Sequence, residues 1–335
     1  SFTIPQFFSR RFRDDKNILA VLAAVIIIIF FIPYTASGFA ACGKLFSSLF
    51  GMNYMTAMII SAVVIVAYTT AGGFFAASAT DFVQSIIMTV AIVFVLVFST
   101  ISAGGIDVVV ENAKALPGYL SLTASYIEDT GKSEPYNLLH IITTLSWGLG
   151  YFGMPHILLR FMAIEDEKKL KLSRRVASVW VVIAMAMAVL IGIVGRALSN
   201  TGLVDQLHGN DTETIIVRVA HLLSTYGAFP AIMAGLILAG ILASTMSTAD
   251  SQLLAAASSV SENILREAFH LKISEKKSML AARLTVIGIA ILGIIIARNP
   301  DSSVFGIVSF AWAGFGAAFG PLVICSLFWK RTTLP

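Results

Sequence analysis

Residues 235–254 read GLILAGILASTMSTADSQLL, an apolar helical pattern interrupted by Ser244, Thr245, Ser247, Thr248, Asp250 and Ser251. Ser244, Ser247, Thr248 and Ser251 recur at three- and four-residue spacing and share one helix face. Hydroxyl and carbonyl oxygens are hard ligands and suit an alkali cation, which demands no fixed geometry. The plainer alternative is hydroxyl back-bonding and small-residue helix packing. Asp250 weighs against it, because a carboxylate inside a membrane domain is costly and usually functional.

A second stretch, SWGLGYFGMPHILLRF at 146–161, places Gly148, Gly150, Gly153 and Pro155 in the middle of an apolar run. Proline removes a backbone donor and glycine lowers the cost of unwinding. Irregular backbone at membrane depth is tolerated only where protein buries it or it lines a watery cavity. Such a break offers carbonyls and a half-helix N-terminus to a ligand, and transporters build substrate sites this way. Trp147 and Tyr151, at i and i+4, project from one face. Residue types alone leave this reading level with a kinked packing helix carrying an aromatic pair.

Two weaker signals follow. In YTTAGGFFAASATDFVQ at 68–84, Asp81 stands one turn into an apolar run, as an ion ligand, an interfacial residue or a helix cap. In FAWAGFGAAFGP at 310–321, Gly316 and Gly320 form a Gly-x-x-x-Gly pattern, most simply a close-packing face.

The elements that position these residues follow from composition. The 335 residues are 57% hydrophobic and 13% charged, and the mean hydropathy is +0.86. Soluble domains carry about 25% charged residues, so lipid must cover this surface. At about 20 apolar residues per crossing, eight candidate spans emerge: 17–49, 54–73, 77–102, 138–162, 176–199, 228–268, 279–298 and 304–329. The first and sixth exceed the bilayer and extend beyond it or tilt. TETIIVRVAHLL at 212–223 has the pattern of an amphipathic helix on the outer interface.

The net charge of +4 is concentrated in a few short loops. Arg10, Arg11, Arg13 and Lys16 precede the first span; Lys168, Lys169, Lys171, Arg174 and Arg175 follow the fourth. Arg266, Lys272, Lys276 and Lys277 follow the sixth, and Lys330 and Arg331 the eighth. The positive-inside bias puts all of these, and both ends of this chain, in the cytoplasm, with the acidic 104–136 loop outside. The basic residues therefore mark topology and do not form a nucleic-acid surface. Among the 5 histidines and 2 cysteines there is no nucleophile–base pair or metal-ligand cluster, which excludes the common enzyme classes. Cys42 and Cys325 fall in opposite halves of two spans and read as small apolar residues, not a disulfide. The opening SFTIPQFFSRRFRDDK reads as an interhelical loop, and FWKRTTLP ends just after a helix, so a fragment is expected.

Four stretches, YTTAGGFFAASATDFVQ, SWGLGYFGMPHILLRFMA, LASTMSTADSQLL and FAWAGFGAAFGP, in this order and at fitting distances, resemble the sodium:solute symporter family, most closely its sodium/proline branch. The resemblance covers essentially the whole chain. It implies an all-α polytopic membrane protein with the leucine-transporter-type inverted-repeat fold: two five-helix halves, each opened by a discontinuous helix. Residues 1–335 then form a single transmembrane transporter domain of about eight helices. The break at 148–155 opens the second half, and the spans at 17–102 are the third to fifth helices of the first. On this reading the first two core helices precede Ser1 and further helices follow Pro335, which accounts for finding one broken helix where two are expected.

By resemblance, Ser247 and Thr248 match the paired hydroxyls that bind the coupling sodium, with a backbone carbonyl from Ser244. Asp81 matches the aspartate needed for sodium coupling. Tyr34, Trp147, Tyr151 and Pro155 match the proline pocket, Pro155 shaping the break while the rings pack against the pyrrolidine. Asp250 and Ser251 depart from the proline branch; with Asp81 they match positions of a second sodium site in the sialic-acid branch, although one carboxylate can instead hold a proton. The implied activity is sodium-coupled import of L-proline across the inner membrane by alternating access. Sodium is the coupling ion, no other cofactor is expected, and the partners are proline and the lipid bilayer. Another amino acid, sialic acid or pantothenate, or a sensor input domain, are the competing readings; an ion channel needs no aromatic solute pocket. The 335-residue chain alone is not expected to catalyse coupled transport, because half of each site is missing from it.

Overall fold

A computed structural model of the chain describes residues 3–271 and 273–333, so Ser1, Phe2, Lys272, Leu334 and Pro335 lie outside the described residues. The chain divides into two compact units, one of Ser1–Phe82, Ser146–Leu172 and Thr245–Pro335, the other of Val83–Leu145 and Ser173–Ser244.

Six stretches are long and apolar enough to cross a membrane: Ile18–Phe50, Tyr54–Ser102, Glu167–Asn200, Ala228–Ala268, Glu275–Ile296 and Val304–Phe328. They carry helices α2 (Ile18–Phe50), α3 (Tyr54–Ser102), α7 (Leu170–Asn200), α9 (Ala228–Ser258), α10 (Glu275–Ile296) and α11 (Val304–Phe328). The difference from eight has two causes. The stretches 54–73 and 77–102 are two helices that follow one another directly within α3, separated by the non-helical residue Gly73, whose φ of 62° and ψ of −168° are open to glycine and strained for other residues. The stretch 138–162 is cut into α5 (Leu138–Gly153) and α6 (Pro155–Met162), each too short to span alone. Large apolar side chains such as Val63, Phe82, Ile101 and Phe310 face outward, as a lipid-covered surface requires.

The first unit is built around α2, which packs against α10, α11 and the π-helical turn Ser259–Ala268 that continues α9. Phe31, Phe39, Phe315 and Phe319 are fully buried in it. Glycines let the helices close on one another: Gly293 sits on the Phe39 ring and Gly38 on Thr245. The opening stretch, expected as a loop, contains α1 (Ile4–Phe12). Its sequence is amphipathic, burying Ile4, Pro5 and Phe8, and the Thr3 side chain caps it by accepting from the Gln6 N–H. Arg11 Nε ties it to the Ser326 carbonyl at 2.8 Å.

The second unit has its own core of Val95, Ile191, Leu198, Val219 and Ile237. The amphipathic pattern at 212–223 forms α8 (Ile215–Ser224), which buries Val217, Val219, Ala220 and Leu223. The 104–136 loop is ordered into α4 (Ile106–Lys114) and the antiparallel pair β1 (Ala124–Ile127) and β2 (Lys132–Pro135). Trp180 Nε1 donates to Thr89 Oγ1 at 2.9 Å, and Gly240 lies against Ala91.

Candidate functional site

The break in the 138–162 stretch falls at Met154, whose φ of −82° and ψ of 108° are extended. Pro155 is the first residue of α6 and excludes the helical conformation from the residue before it, so the break falls at residue 154. The carbonyl of Met154 starts the new helix, accepting from the N–H groups of Ile157 and Leu158 at 3.2 and 3.1 Å. Met154 is fully buried, and the irregular backbone is covered by α11. Glycines from both helices allow this. A Cβ at Gly153 would collide with the Phe315 carbonyl, one at Gly150 would stand 2.6 Å from the Trp312 ring, and one at Gly320 would stand 2.7 Å from the Leu149 carbonyl. Gly316 and Gly320 are therefore a close-packing face, and what they pack against is the broken helix.

Beside the break the aromatic residues converge. Tyr34, on α2 directly after Pro33, is 9% exposed, and its hydroxyl accepts a hydrogen bond from Trp312 Nε1 at 2.9 Å. Trp147 lies between two rings, Phe305 at 5.7 Å and 8° and Trp312 at 5.6 Å and 23°. Tyr151 meets Trp312 edge-on at 4.7 Å. Three residues singled out in the sequence, Tyr34, Trp147 and Tyr151, are thus joined through a fourth, Trp312. Its stretch was read only for its glycine spacing, although a tryptophan between two small residues was in plain view. Pro155 is buried at the start of α6. It sets the start of α6 so that His156 meets Tyr34 and Phe31, with ring centroids at 6.0 and 5.6 Å.

A charged cluster occupies the same unit. Asp81, on the second segment of α3, forms an ion pair with Arg160 of α6. The same Arg160 nitrogen donates to Ser251 Oγ at 2.6 Å. Ser251 Oγ lies 2.8 Å from the Ser247 carbonyl and 3.1 Å from Asp250 Oδ1, and its one proton can serve either. Asp250 is fully buried, and its Oδ2 and Asp81 Oδ1 lack hydrogen-bond partners among the described residues. Asp81 therefore holds the guanidinium directly, and Asp250 is linked to it only through the Ser251 hydroxyl. Tyr68 and Thr80 join hydroxyls across the Gly73 kink. The sequence reading brought Asp81, Asp250 and Ser251 together but omitted Arg160, a lone arginine one turn past the break. Ser247 and Thr248 are half-buried one turn before Asp250, and the Ser244 hydroxyl donates back to the Ile241 carbonyl at 2.8 Å. Further along α9, Gln252 Oε1 accepts from Thr35 Oγ1 at 3.2 Å, fixing α9 against α2. A cavity of about 660 Å³ in this unit is walled by Ser78, His156, Arg160, Ser251, Glu262 and Arg266. No group of three or more His, Cys, Asp or Glu able to hold a metal ion occurs among the described residues.

A buried broken helix, an aromatic cluster on one side of it and a hydroxyl-rich helix with carboxylates on the other define a multi-pass membrane protein of the transporter class. The description of the sodium:solute symporter family matches residues 1–335. The chain belongs to this family. It is 39% identical over 331 residues to the osmoregulated proline transporter OpuE of Bacillus subtilis, covering 99% of this chain and 64% of that protein. It is 38% identical over 338 residues to the sodium/proline symporter of Escherichia coli, again covering 99% of this chain and 64% of that protein. The chain thus spans somewhat less than two thirds of the length of these relatives. A solved structure of a Na+-coupled sialic acid symporter, substrate-bound and outward-open, superposes with a TM-score of 0.77 at 19% identity, covering 99% of this chain and 67% of that one. This places the fold among the leucine-transporter-type symporters.

Proposed function

We propose that the protein containing this chain imports L-proline together with sodium by alternating access. The observation that carries this reading is the convergence of Tyr34, Trp147, Tyr151 and Trp312 beside the buried break at Met154, a cluster of rings of the kind that packs against a small apolar ring. The likeness to proteins named as proline transporters supports the same solute. Ser247 and Thr248 supply hydroxyl ligands to the coupling sodium from α9. Asp81 couples to that site through Arg160 and Ser251, whose hydroxyl reaches the Ser247 carbonyl. A second cation beside Asp250 has to displace Arg160 from this cluster or share it.

Sodium acts by binding the substrate-competent conformation better than the other one. The basic loops favour a topology with both ends of this chain in the cytoplasm and the 104–136 segment outside the inner membrane. Uptake of radiolabelled L-proline by membrane vesicles, competed by unlabelled proline, sialic acid and pantothenate, tests the assignment. Proline alone is expected to compete at micromolar to low-millimolar concentrations; competition by sialic acid or pantothenate in its place overturns it.

A further inference from the structure

Tyr34, Trp147 and Tyr151 each make a contact with Trp312. The Tyr34 hydroxyl takes the indole N–H, one face of Trp147 lies on the indole and the other on Phe305, and the edge contact of Tyr151 is also with the indole. In this arrangement neither face of Trp147 is open to a solute ring. The indole is a flat apolar body carrying one N–H donor. Proline is likewise a small apolar ring carrying N–H donors. Trp312 is half-buried and rests directly on the backbone of Gly150, at the broken helix.

We infer that Trp312 is a placeholder for the substrate, lying where the solute ring goes and lending Tyr34 the N–H that the solute's ammonium group takes over. This rests on the proline reading. Substrate then enters by displacing the indole from Trp147, Tyr151 and Tyr34. Without solute, Trp312 itself lies against Trp147, Tyr151 and Tyr34. A resident competitor lowers the apparent affinity by the fraction of time it holds the site. It also sets a threshold that a solute lacking either the ring or the N–H donor does not reach, which makes Trp312 a specificity-determining residue.

A fixed pocket wall and a placeholder predict opposite signs. Trp312→Phe keeps a ring but deletes the N–H, weakening the placeholder's hold on Tyr34. Direct binding of radiolabelled L-proline to the purified full-length protein that contains this chain, at saturating sodium, is expected to tighten about three- to tenfold in this variant, the worth of one hydrogen bond. Weaker binding overturns the inference and assigns Trp312 to the wall. The wild-type protein provides a second readout. The part of its tryptophan emission absent from Trp312→Phe is expected to become more quenchable by acrylamide when proline is added, and unchanged or reduced quenching overturns the inference. Absence of proline binding by the wild-type protein at any sodium concentration overturns the proline reading and the placeholder with it. Binding without displacement overturns the placeholder alone.

Discussion

Gly148, Gly150 and Gly153 lie within six residues, yet the structure assigns them different consequences on replacement by alanine. At Gly148 nothing lies within 4 Å of a new methyl group. The position is helical and exposed, so Gly148→Ala is expected to stabilise by about 0.5–1 kcal/mol through reduced chain entropy. At Gly150 the methyl group would stand 2.6 Å from Trp312 Cε3. Ordinary carbon contacts need roughly 3.5 Å, so the indole must retreat by about 1 Å. That motion stretches the 2.9 Å bond from Trp312 Nε1 to Tyr34 past hydrogen-bonding range. Overpacking and the lost bond together cost about 2–4 kcal/mol. At Gly153 the obstacle is the Phe315 carbonyl, with the Gly320 nitrogen 3.1 Å away. Backbone cannot rotate aside, so α11 has to move and the cost is at least as large. Thermal midpoints of the detergent-solubilised full chain should rank Gly148→Ala at or above wild type, then Gly150→Ala, then Gly153→Ala. A Gly150→Ala protein as stable as Gly148→Ala, with proline binding intact, would refute the close packing of the broken helix on α11.

Other outcomes follow from the charged and hydroxyl groups. Ser247→Ala or Thr248→Ala should raise the sodium concentration for half-maximal uptake by about five- to thirtyfold, the loss of one ligand worth about 1–2 kcal/mol, while Thr248→Ser stays near wild type. Unchanged sodium dependence removes both residues from the ion site. A thermal-stability double-mutant cycle of Asp81→Asn and Arg160→Gln should give a coupling of about 1–2 kcal/mol, because the Arg160 side chain is 39% exposed and solvent screens the pair; additivity within error argues against the ion pair. Gly73→Ala should destabilise by about 1–2 kcal/mol, since its φ of 62° disfavours a Cβ, and a neutral effect means the kink lies elsewhere.

The sequence revealed what depends on local chemistry. Pro155 dictates an extended residue before it, and the break stands at Met154. The hydropathy pattern marked α2, α7, α10 and α11 because a bilayer demands long apolar runs. It also separated the helices on either side of Gly73, but could not show that a single non-helical residue is all that divides them, since that depends on one residue's dihedral angles. Thr3 and the amphipathic spacing after it already encoded α1, but the density of arginines suggested a loop. The site was half legible. Trp147 and Tyr151 stood out by their spacing beside the glycines, and Tyr34 only through the family resemblance. Trp312 and Arg160, which connect the chosen residues to one another, were not, because contacts across 278 and 79 residues of sequence leave no periodic trace.

Sodium-driven accumulation of proline is tested most directly by transport in proteoliposomes. Vesicles containing the full-length protein of which this chain is a part are given an inward sodium gradient and trace radiolabelled L-proline, and internal proline is followed against time. Transient accumulation above the external concentration is expected, abolished when the gradient is collapsed by a sodium ionophore and absent when potassium replaces sodium. Proline that merely equilibrates, or enters equally well without sodium, would contradict it.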